Sequence, residues 1–259
     1  MSRYWSSPVR VLKGLTSNNG KNKIYFIFST HKSHFGFIVQ GGFFISIKRR
    51  DIMLRIALAK GRLQEDFLDL IYQNQDTMSQ NKRSLRLTDR LRNWEILLPK
   101  SQDVPQYLDM GMADIGVVGK DVLLECKSNL KEVMDLELGR CKMVIAGPTE
   151  NKGKAKYKTV ATKYPNIAKD IFKNKGIDAE IIYLQGSVEL AVATGIADVI
   201  VDIVQTGTTL KENGLVVYEE LFDINAKLVV SNEISSRKFA MIDSLINELQ
   251  RGGERCEYI

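Results

Sequence analysis

Hydrophobic and polar positions along residues 53–259 follow two alternating periods. Short runs of aliphatic and β-branched residues, such as MLRIALA at 53–59 and DIGVVG at 114–119, are typical of buried strands. Between such runs, apolar residues recur at helical spacing, as they do at Leu63, Phe67 and Leu70. The regular alternation of strands with helices predicts an α/β fold with largely parallel sheets.

The alternating pattern starts afresh in the middle of the chain. The predicted strand at 141–148, CKMVIAGP, leads into a lysine-rich loop. Three further strands then alternate with helices that we expect to begin at Pro165 and at a Ser187 cap. We therefore predict two α/β lobes. The first comprises residues 53–143 and 225–259, and the second comprises residues 144–224.

The first 52 residues differ from the rest in charge. They hold nine lysine and arginine residues against one acid, Asp51, whereas residues 53–259 carry 28 basic and 30 acidic side chains. The net charge of +6 therefore does not describe the lobes, and no nucleic-acid partner is expected. Both histidines, His31 and His34, also lie in this segment, so chemistry housed in the lobes must proceed without imidazole.

The same segment fits no targeting signal cleanly. It is rich in arginine and serine, but its apolar runs are too short to span a bilayer, so no membrane partner is expected. The stretch KRRDIM at 48–53 can be encoded by a purine-rich ribosome-binding sequence that ends in a start codon for Met53. Our hypothesis is that translation begins at Met53 and that residues 1–52 are a non-native or disordered extension. A targeting or membrane-surface arm and a partner-binding tail stay open as alternatives.

Cysteine usage and overall composition indicate an ordinary globular protein of a reducing compartment. The residues are 44% apolar and 26% charged. Cys126, Cys141 and Cys256 have no metal-ligand spacing and cannot all pair within one chain. We therefore expect a cytoplasmic protein without a disulfide framework or a zinc site.

A candidate anion-binding loop follows the predicted strand at 198–204. In VDIVQTGTTL, residues 201–210, the strand runs directly into Thr206, Gly207, Thr208 and Thr209. Backbone N–H groups at the start of a helix, three hydroxyls and a glycine that permits close approach together suit a phosphate. The loop lacks the lysine of a Walker motif, so we predict a different phosphorylated ligand.

Two acids lie close to this loop in the sequence. Asp202 interrupts an otherwise apolar strand, where a carboxylate is costly unless something binds it. It either caps its own loop or holds a polar ligand such as a ribose. Glu189 stands at the expected start of a helix, which favours negative charge, so its role is either structural or ligand-binding.

The whole stretch at 189–210, ELAVATGIADVIVDIVQTGTTL, resembles the signature of ATP phosphoribosyltransferases. The segments LRIALAKGRL at 54–63, DVPQYLDMGMADIGVVGKDVLLE at 103–125 and ATKYPNIAKDIF at 161–172 resemble further blocks of that family, in family order. The resemblance covers about residues 53–250. Ala59 departs from it where proline is common, and Lys100 and Gln102 where many members carry arginine.

This resemblance implies an architecture and a reaction. The architecture is two α/β lobes around a cleft, like a type II periplasmic binding protein, without a C-terminal regulatory domain. The reaction, the first step of histidine biosynthesis, joins ATP to 5-phosphoribosyl 1-pyrophosphate and requires Mg²⁺. A chain of this length resembles the short form, whose implied partner is an inactive paralogue of histidyl-tRNA synthetase, in an expected hetero-octamer.

The resemblance also implies roles for individual residues. The loop from Thr206 to Thr209 would hold the ribose 5-phosphate, and the catalytic pair Asp202 and Glu189 the ribose hydroxyls. Lys60 and Arg62 would bind the pyrophosphate. The ATP would be bound by Lys100, Asp114, Lys163 and Tyr164, with Tyr164 stacking on the adenine. No metal ligands are assigned.

Two other function classes compete with this prediction. A type I phosphoribosyltransferase shares the threonine-rich loop but normally has two adjacent acids before it, where this chain has Val201 and Asp202. A non-catalytic, two-lobed small-ligand-binding protein would share the architecture. It would need neither Mg²⁺ nor the threonine-rich loop.

Overall fold

The computed structural model describes residues 53–72, 84–153, 157–232, 234 and 236–253, together with the backbone of four short strands closer to the N-terminus. Those strands form two antiparallel pairs, β1 (Leu12–Gly14) with β2 (Tyr25–Ile27) and β3 (Phe35–Gln40) with β4 (Phe43–Lys48). The remainder of the predicted N-terminal extension lies outside the described residues, as does Cys256. Among the described helices, none combines the length and apolarity needed to cross a membrane.

The following elements build the two lobes. From residue 54 to 135 they are β5 (Leu54–Leu58), α1 (Arg62–Tyr72), β6 (Arg86–Asp89), β7 (Trp94–Leu97), α2 (Val104–Asp109), β8 (Ile115–Gly119), α3 (Lys120–Glu125) and β9 (Lys131–Asp135). From residue 141 onward they are β10 (Cys141–Pro148), β11 (Thr159–Thr162), α4 (Pro165–Asn174), β12 (Glu180–Tyr183), α5 (Glu189–Ala193), β13 (Val199–Val204), α6 (Thr208–Glu212), β14 (Leu215–Ile224), β15 (Ala226–Val230) and α7 (Ser236–Gly253). Short 3₁₀ turns occupy Ser101–Asp103 and Thr149–Asn151.

The first lobe is built on a six-stranded sheet in the order β6-β7-β5-β8-β15-β9. Strands β7, β5 and β8 are parallel, and β15 runs antiparallel between β8 and β9. Alternation along β5 sends Leu54, Ile56 and Leu58 into the core cluster that contains residues of α1 and α7. Ala57 faces the opposite cluster, with residues of α2 and α3. The sheet is therefore covered by helices on both faces.

The second lobe is built on a five-stranded sheet in the order β12-β11-β13-β10-β14. Strands β12, β11 and β13 are parallel, while β10 runs antiparallel to β13 and β14. Residues of α4 pack on one face with Val199 and Val201, and residues of α5 and α6 pack on the other with Ile200. The predicted α/β fold with two lobes is confirmed. The predicted division between residues 143 and 144 falls within β10, which pairs only with strands of the second sheet.

The start of α5 differs from its predicted form. Ser187 has a φ of +48°, and α5 begins at Glu189 without a side-chain cap, so the predicted Ser187 cap is wrong. The Leu190 N–H instead donates to the Ser187 carbonyl at 3.1 Å, so a backbone turn leads the chain into the helix. Glu189 thereby occupies the first position of α5, at the edge of the sheet where β13 ends.

The carboxyl edges of the two parallel sets of strands face each other. Residues that follow β5 and β8 in the first lobe contact residues that follow β13 and β11 in the second, through Arg62 with Gln205 and Asp121 with Tyr164. Ligands of open α/β sheets bind outside the carboxyl ends of strands. The cleft between these two edges is therefore the expected place for a site.

Candidate active site

The predicted phosphate loop lies at the end of β13 in the second lobe. Gly207, with a φ of +74°, precedes the first turn of α6, a backbone conformation that side chains with a Cβ rarely adopt. The hydroxyls of Thr206 and Thr208 are 3.1 Å apart, and Thr208 and Thr209 are exposed. Leu210 is buried and holds the helix against the sheet. The loop thus presents hydroxyls and helix-start N–H groups near the surface, and the Thr208 N–H lies 3.5 Å from the Thr206 Oγ1.

Asp202 lies beside this loop in a mostly buried position. Its side chain is 17% exposed, its Oδ1 accepts a hydrogen bond from the Ile203 N–H at 2.8 Å, and the Lys163 Nζ lies 3.5 Å from that oxygen. Burial raises the pKa of the Asp202 carboxyl above its ordinary value. Lys163 opposes that rise in pKa, and the charge of Glu189 adds to it. The structure therefore pairs Asp202 with Lys163 and places it within the electrostatic influence of Glu189.

Tyr164 is placed differently from its predicted role. The residue is 4% exposed and belongs to the core cluster of the second lobe. Its hydroxyl donates to the Asp121 Oδ2 at 2.7 Å, and the Lys163 Nζ lies 4.9 Å from the centre of its ring. Burial and Asp121 raise the pKa of the phenol above its ordinary value. In this arrangement the ring joins the two lobes and presents no open face for stacking.

Three predicted cations lie along the facing edge of the first lobe. Lys60, Arg62 and Lys100 are all exposed, and the Lys60 N–H donates to the Pro99 carbonyl at 2.9 Å, which places the turns after β5 and β7 side by side. The Arg62 guanidinium donates to the Gln205 side-chain oxygen of the second lobe, directly before the phosphate loop. Positive charge of the first lobe therefore faces the anion-binding loop of the second.

Asp114 lies away from these residues. It precedes β8, at the amino edge of the sheet, and is 4% exposed. Both of its oxygens lie 2.8 Å from the Lys238 Nζ, and Arg55 contacts it at 3.2 Å. The structure does not place Asp114 at the cleft, contrary to the expectation that it faces ATP there. A buried carboxylate at this position instead neutralises two cations of the first lobe.

Sequence reasoning missed three residues of the cleft, namely Asp121, Glu125 and Gln205. The sequence did hold a signal for Asp121, which is a glycine at the end of a predicted strand followed two residues later by an acid. The structure explains this spacing: a Cβ added at Gly119 would lie 2.2 Å from the Asp121 Oδ1, so only a glycine leaves room for a carboxylate that folds back over the end of β8. Gln205 carries no comparable signal, since its contact with Arg62 depends on how the lobes meet.

A cavity of about 540 Å³ adjoins the phosphate loop on its β10 and β14 side. Its lining includes Gln205, Thr206 and Gly207, apolar side chains such as Val144, and Lys142. Lys142 is paired with Glu220 at 2.5 Å. This cavity has the volume of a small-molecule site and is continuous with the loop.

The carboxylates of the cleft suit a metal ion that is held together with a ligand. Within the described residues, no three histidine, cysteine, aspartate or glutamate side chains converge as a metal cage. Mg²⁺ is commonly held by one or two carboxylates with substrate phosphates and water. Asp202 and Glu189, which influence each other electrostatically beside the predicted phosphate loop, fit that requirement.

Comparison with known proteins identifies the family. Residues 100–251 match the family model HisG, ATP phosphoribosyltransferase. An ATP phosphoribosyltransferase of Caldicellulosiruptor bescii is 47% identical over 206 residues, which cover 77% of this chain and 98% of the relative. One of Listeria monocytogenes is 42% identical over 202 residues, covering 76% of this chain and 95% of the relative.

Solved structures agree with this relationship. The structure of the ATP phosphoribosyl transferase (HisG:HisZ) complex from Thermotoga maritima matches with a TM-score of 0.68 and 36% identity, covering 78% of this chain and all of that one. The substrate binding protein of an amino acid ABC transporter matches with a TM-score of 0.50 and 14% identity, covering 88% of this chain and 93% of that one, and shows the shared fold alone. The predicted architecture is confirmed, and the non-catalytic binder is not favoured. The chain belongs to the ATP phosphoribosyltransferase family.

Proposed function

We propose that the cleft between the two lobes joins N1 of the adenine of ATP to C1 of 5-phosphoribosyl 1-pyrophosphate. The observation that carries this proposal is the grouping of Asp202, Glu189 and Lys163 beside the threonine-rich loop, opposite the basic turn that contains Arg62. Membership of the family supplies the overall reaction, the first step of histidine biosynthesis. The assignments below are our proposals for this chain.

The phosphate loop would fix the sugar. Thr206 to Thr209 supply hydroxyls and helix-start N–H groups for the 5-phosphate, and Gly207 allows that phosphate close to the backbone. Asp202 and Glu189 then reach the ribose hydroxyls. Because the two carboxylates and the loop belong to the same lobe, the sugar is positioned before the lobes come together.

Bond breaking at C1 places positive charge on the ribose. The C1–O bond to pyrophosphate breaks with its electron pair on the leaving oxygen, and the N1 lone pair of adenine forms the new bond. The carboxylates of Asp202 and Glu189 stabilise the developing oxocarbenium charge. N1 is already a nucleophile, so no imidazole base is required, and residues 53–259 contain no histidine.

The leaving pyrophosphate would be held by the first lobe. Lys60 and Arg62 are exposed cations on the turn after β5, facing the loop. Lys100 on the neighbouring turn and Lys163 beside Asp202 are proposed to contact ATP. Tyr164 supports Lys163 through its ring. We leave Asp114 out of the site because of its position at the opposite edge.

Members of the family use a metal ion, and we propose that it is Mg²⁺. The residues that would hold it are Asp202 and Glu189, in company with the pyrophosphate of the substrate. When bound, the ion supplies charge neutralisation for the departing pyrophosphate.

The chain is proposed to act with a second subunit. The similar Thermotoga maritima structure is that of a HisG:HisZ complex. By that similarity, together with the short-form resemblance, we propose a partner of the kind implied by the sequence, an inactive paralogue of histidyl-tRNA synthetase. We propose a hetero-octamer as the assembly and the cytoplasm as its location.

The test is Mg²⁺-dependent formation of phosphoribosyl-ATP, followed by absorbance, with and without the partner. We expect Asp202→Asn and Thr209→Val to lower turnover by about 100-fold, as loss of a transition-state contact does. Thr194→Val is the matched control, because Thr194 lies at the far end of α5, where its hydroxyl donates to the Leu190 carbonyl. Unchanged turnover in both site variants, at saturating partner, would overturn the residue assignments.

A further inference from the structure

The two lobes are joined at the junction of α3 and α4 by a carboxylate. Glu125, the last residue of α3, belongs to the first lobe, and α4 belongs to the second. Its Oε1 and Oε2 lie 3.0 and 3.1 Å from the Asn166 N, and Oε2 also accepts from the Ile167 N–H at 3.0 Å. The Asn166 side-chain amide donates to the Glu125 carbonyl at 3.0 Å. These contacts cap a helix of one lobe from the other.

The first turn of α4 has no cap of its own. Tyr164 stands at the N-cap position but its side chain makes no capping hydrogen bond to the helix, and Pro165 has no N–H to donate. The free N–H groups of Asn166 and Ile167 are therefore satisfied by Glu125, whose negative charge also suits the positive end of the helix. The second lobe depends on the first for this part of its structure.

The capped turn directly follows the proposed site. Lys163 lies two residues before Pro165, and its Nζ is 3.5 Å from Asp202. The intervening Tyr164 is held by Asp121, a second carboxylate of α3, at 2.7 Å. Helix α3 of the first lobe therefore determines where α4 begins, and the beginning of α4 determines where Lys163 lies relative to Asp202.

We propose that Glu125 is a positioning residue for the reaction: from the first lobe it holds the first turn of α4, and through that turn it sets where Lys163, the proposed ATP contact, lies relative to Asp202, the proposed ribose contact. Glu125 acts through α4 and touches neither substrate. This inference rests on the proposed function, because it assumes that Asp202 and Lys163 form part of the site.

The test compares Glu125→Ala and Glu125→Gln with the wild-type full chain, at saturating partner. We expect Glu125→Ala to raise the KM for 5-phosphoribosyl 1-pyrophosphate about tenfold, because a displaced positioning group weakens productive binding. The KM for ATP should rise as well, because Lys163 is the proposed ATP contact. In Glu125→Gln the amide oxygen still accepts a backbone hydrogen bond, so the KM should return to within about threefold of the wild type.

The matched control is Asp170→Asn. It removes the Lys127–Asp170 ion pair of 3.2 Å, which also joins α4 to the segment after α3 but has both side chains more than half exposed. An exposed ion pair contributes little to stability, so the Asp170→Asn protein should have the KM values of the wild type. Thermal unfolding of every variant separates loss of stability from loss of positioning.

Two results would overturn the inference. One is a Glu125→Ala protein with a lowered unfolding temperature but unchanged KM and kcat, which would make Glu125 a stabilising residue only. The other is calorimetric titration with 5-phosphoribosyl 1-pyrophosphate and Mg²⁺ that gives equal affinities for Glu125→Ala and the wild type. This titration measures binding and needs no turnover, so it tests the role of Glu125 by itself. Failure of the wild-type protein to form product would instead contradict the proposed function.

Discussion

Asp202 combines two properties that rarely occur together in a strand residue. It is largely buried, and its neighbours include a carboxylate, Glu189, as well as a lysine, Lys163. Burial of a charge is costly unless it is compensated, and here the compensation comes from the ammonium of Lys163 and the N–H of Ile203. In the proposed site, the hydroxyls of the ribose would replace some of these protein contacts of Asp202.

The pH dependence of turnover should report on Asp202. Its raised pKa is caused mainly by burial, and Lys163 opposes the rise. The ionised form is required, so kcat/KM falls as the pH falls through this pKa. Removing Lys163 raises the pKa further, and the acid limb of the profile in Lys163→Met should therefore move to higher pH.

Full pH profiles of kcat/KM for the phosphoribosyl substrate check this prediction. Lys169→Met is the matched control, because Lys169 is an exposed lysine on α4 and the same charge is lost there. An acid limb that stays in place in Lys163→Met, or that moves equally in Lys169→Met, contradicts the assignment of the limb to Asp202.

Asp114 should affect stability and leave substrate binding intact. Asp114→Asn leaves the buried Lys238 ammonium without its counter-charge, and breaking a buried pair in this way costs about 3–5 kcal/mol. Chemical denaturation measures the loss in the free energy of unfolding. Glu137→Gln, which breaks the exposed Arg140–Glu137 pair, should cost less than about 0.5 kcal/mol. A stable Asp114→Asn protein with weakened ATP binding would restore the role expected from the sequence.

Helix α2 depends on a glycine in the strand that it covers. A Cβ at Gly116 of β8 would lie 2.8 Å from Leu108 and 2.9 Å from Val104, both on α2, so the helix packs directly on the strand backbone. Gly116→Ala should lower the free energy of unfolding by about 1–3 kcal/mol through overpacking. Gly186→Ala is the control, since its Cβ would meet nothing within 4 Å. Equal unfolding curves for the two variants would contradict this account of α2.

Sequence patterns predicted elements better than their ends. The strands β5, β8 and β13 follow from apolar runs, and the end of α5 follows from Gly195, which has a φ of +75°. The start of α4 at Pro165 was predicted correctly, although its capping by Glu125 from the other lobe was not, and the start of α5 was predicted wrongly because a backbone turn leads into it. Propensity describes local contacts, whereas the cap of α4 depends on a contact made after the lobes meet.

The site divides in the same way. Thr206 to Thr209, Asp202 and Glu189 are close in sequence and recognisable as one motif, so they could be proposed together. Gln205 and Glu125 acquire their contacts only across the cleft, and Asp114 could not be separated from the cleft without knowing which edge of the sheet it occupies. A sequence shows where a residue lies along a strand, but it does not show which edges of two sheets face each other.

In the whole molecule, neither lobe holds all the residues of the proposed site. The phosphate loop and carboxylates lie in the second lobe, while Lys60, Arg62 and Lys100 lie in the first. The contacts between them at the rim, such as Arg62 with Gln205, use exposed side chains that can exchange partners. The buried contacts, such as Tyr164 with Asp121, lie at the base. This arrangement suits closure of the rim about a fixed base.

Substrate binding should therefore make the molecule more compact. Bringing the cations of the first lobe onto pyrophosphate held by the second excludes water from a centre that it would hydrolyse. Small-angle X-ray scattering of the complex with its partner should show a smaller radius of gyration when 5-phosphoribosyl 1-pyrophosphate and Mg²⁺ are added together. The Arg62→Met protein should still bind the sugar phosphate through its intact second lobe, but its radius of gyration should decrease less. Arg140→Met is the control, because Arg140 is exposed and has no proposed role in the cleft, and this protein should close as the wild type does. If the radius stays constant while calorimetry shows that the ligand is bound, the two lobes form one rigid body and catalysis must proceed in the open cleft.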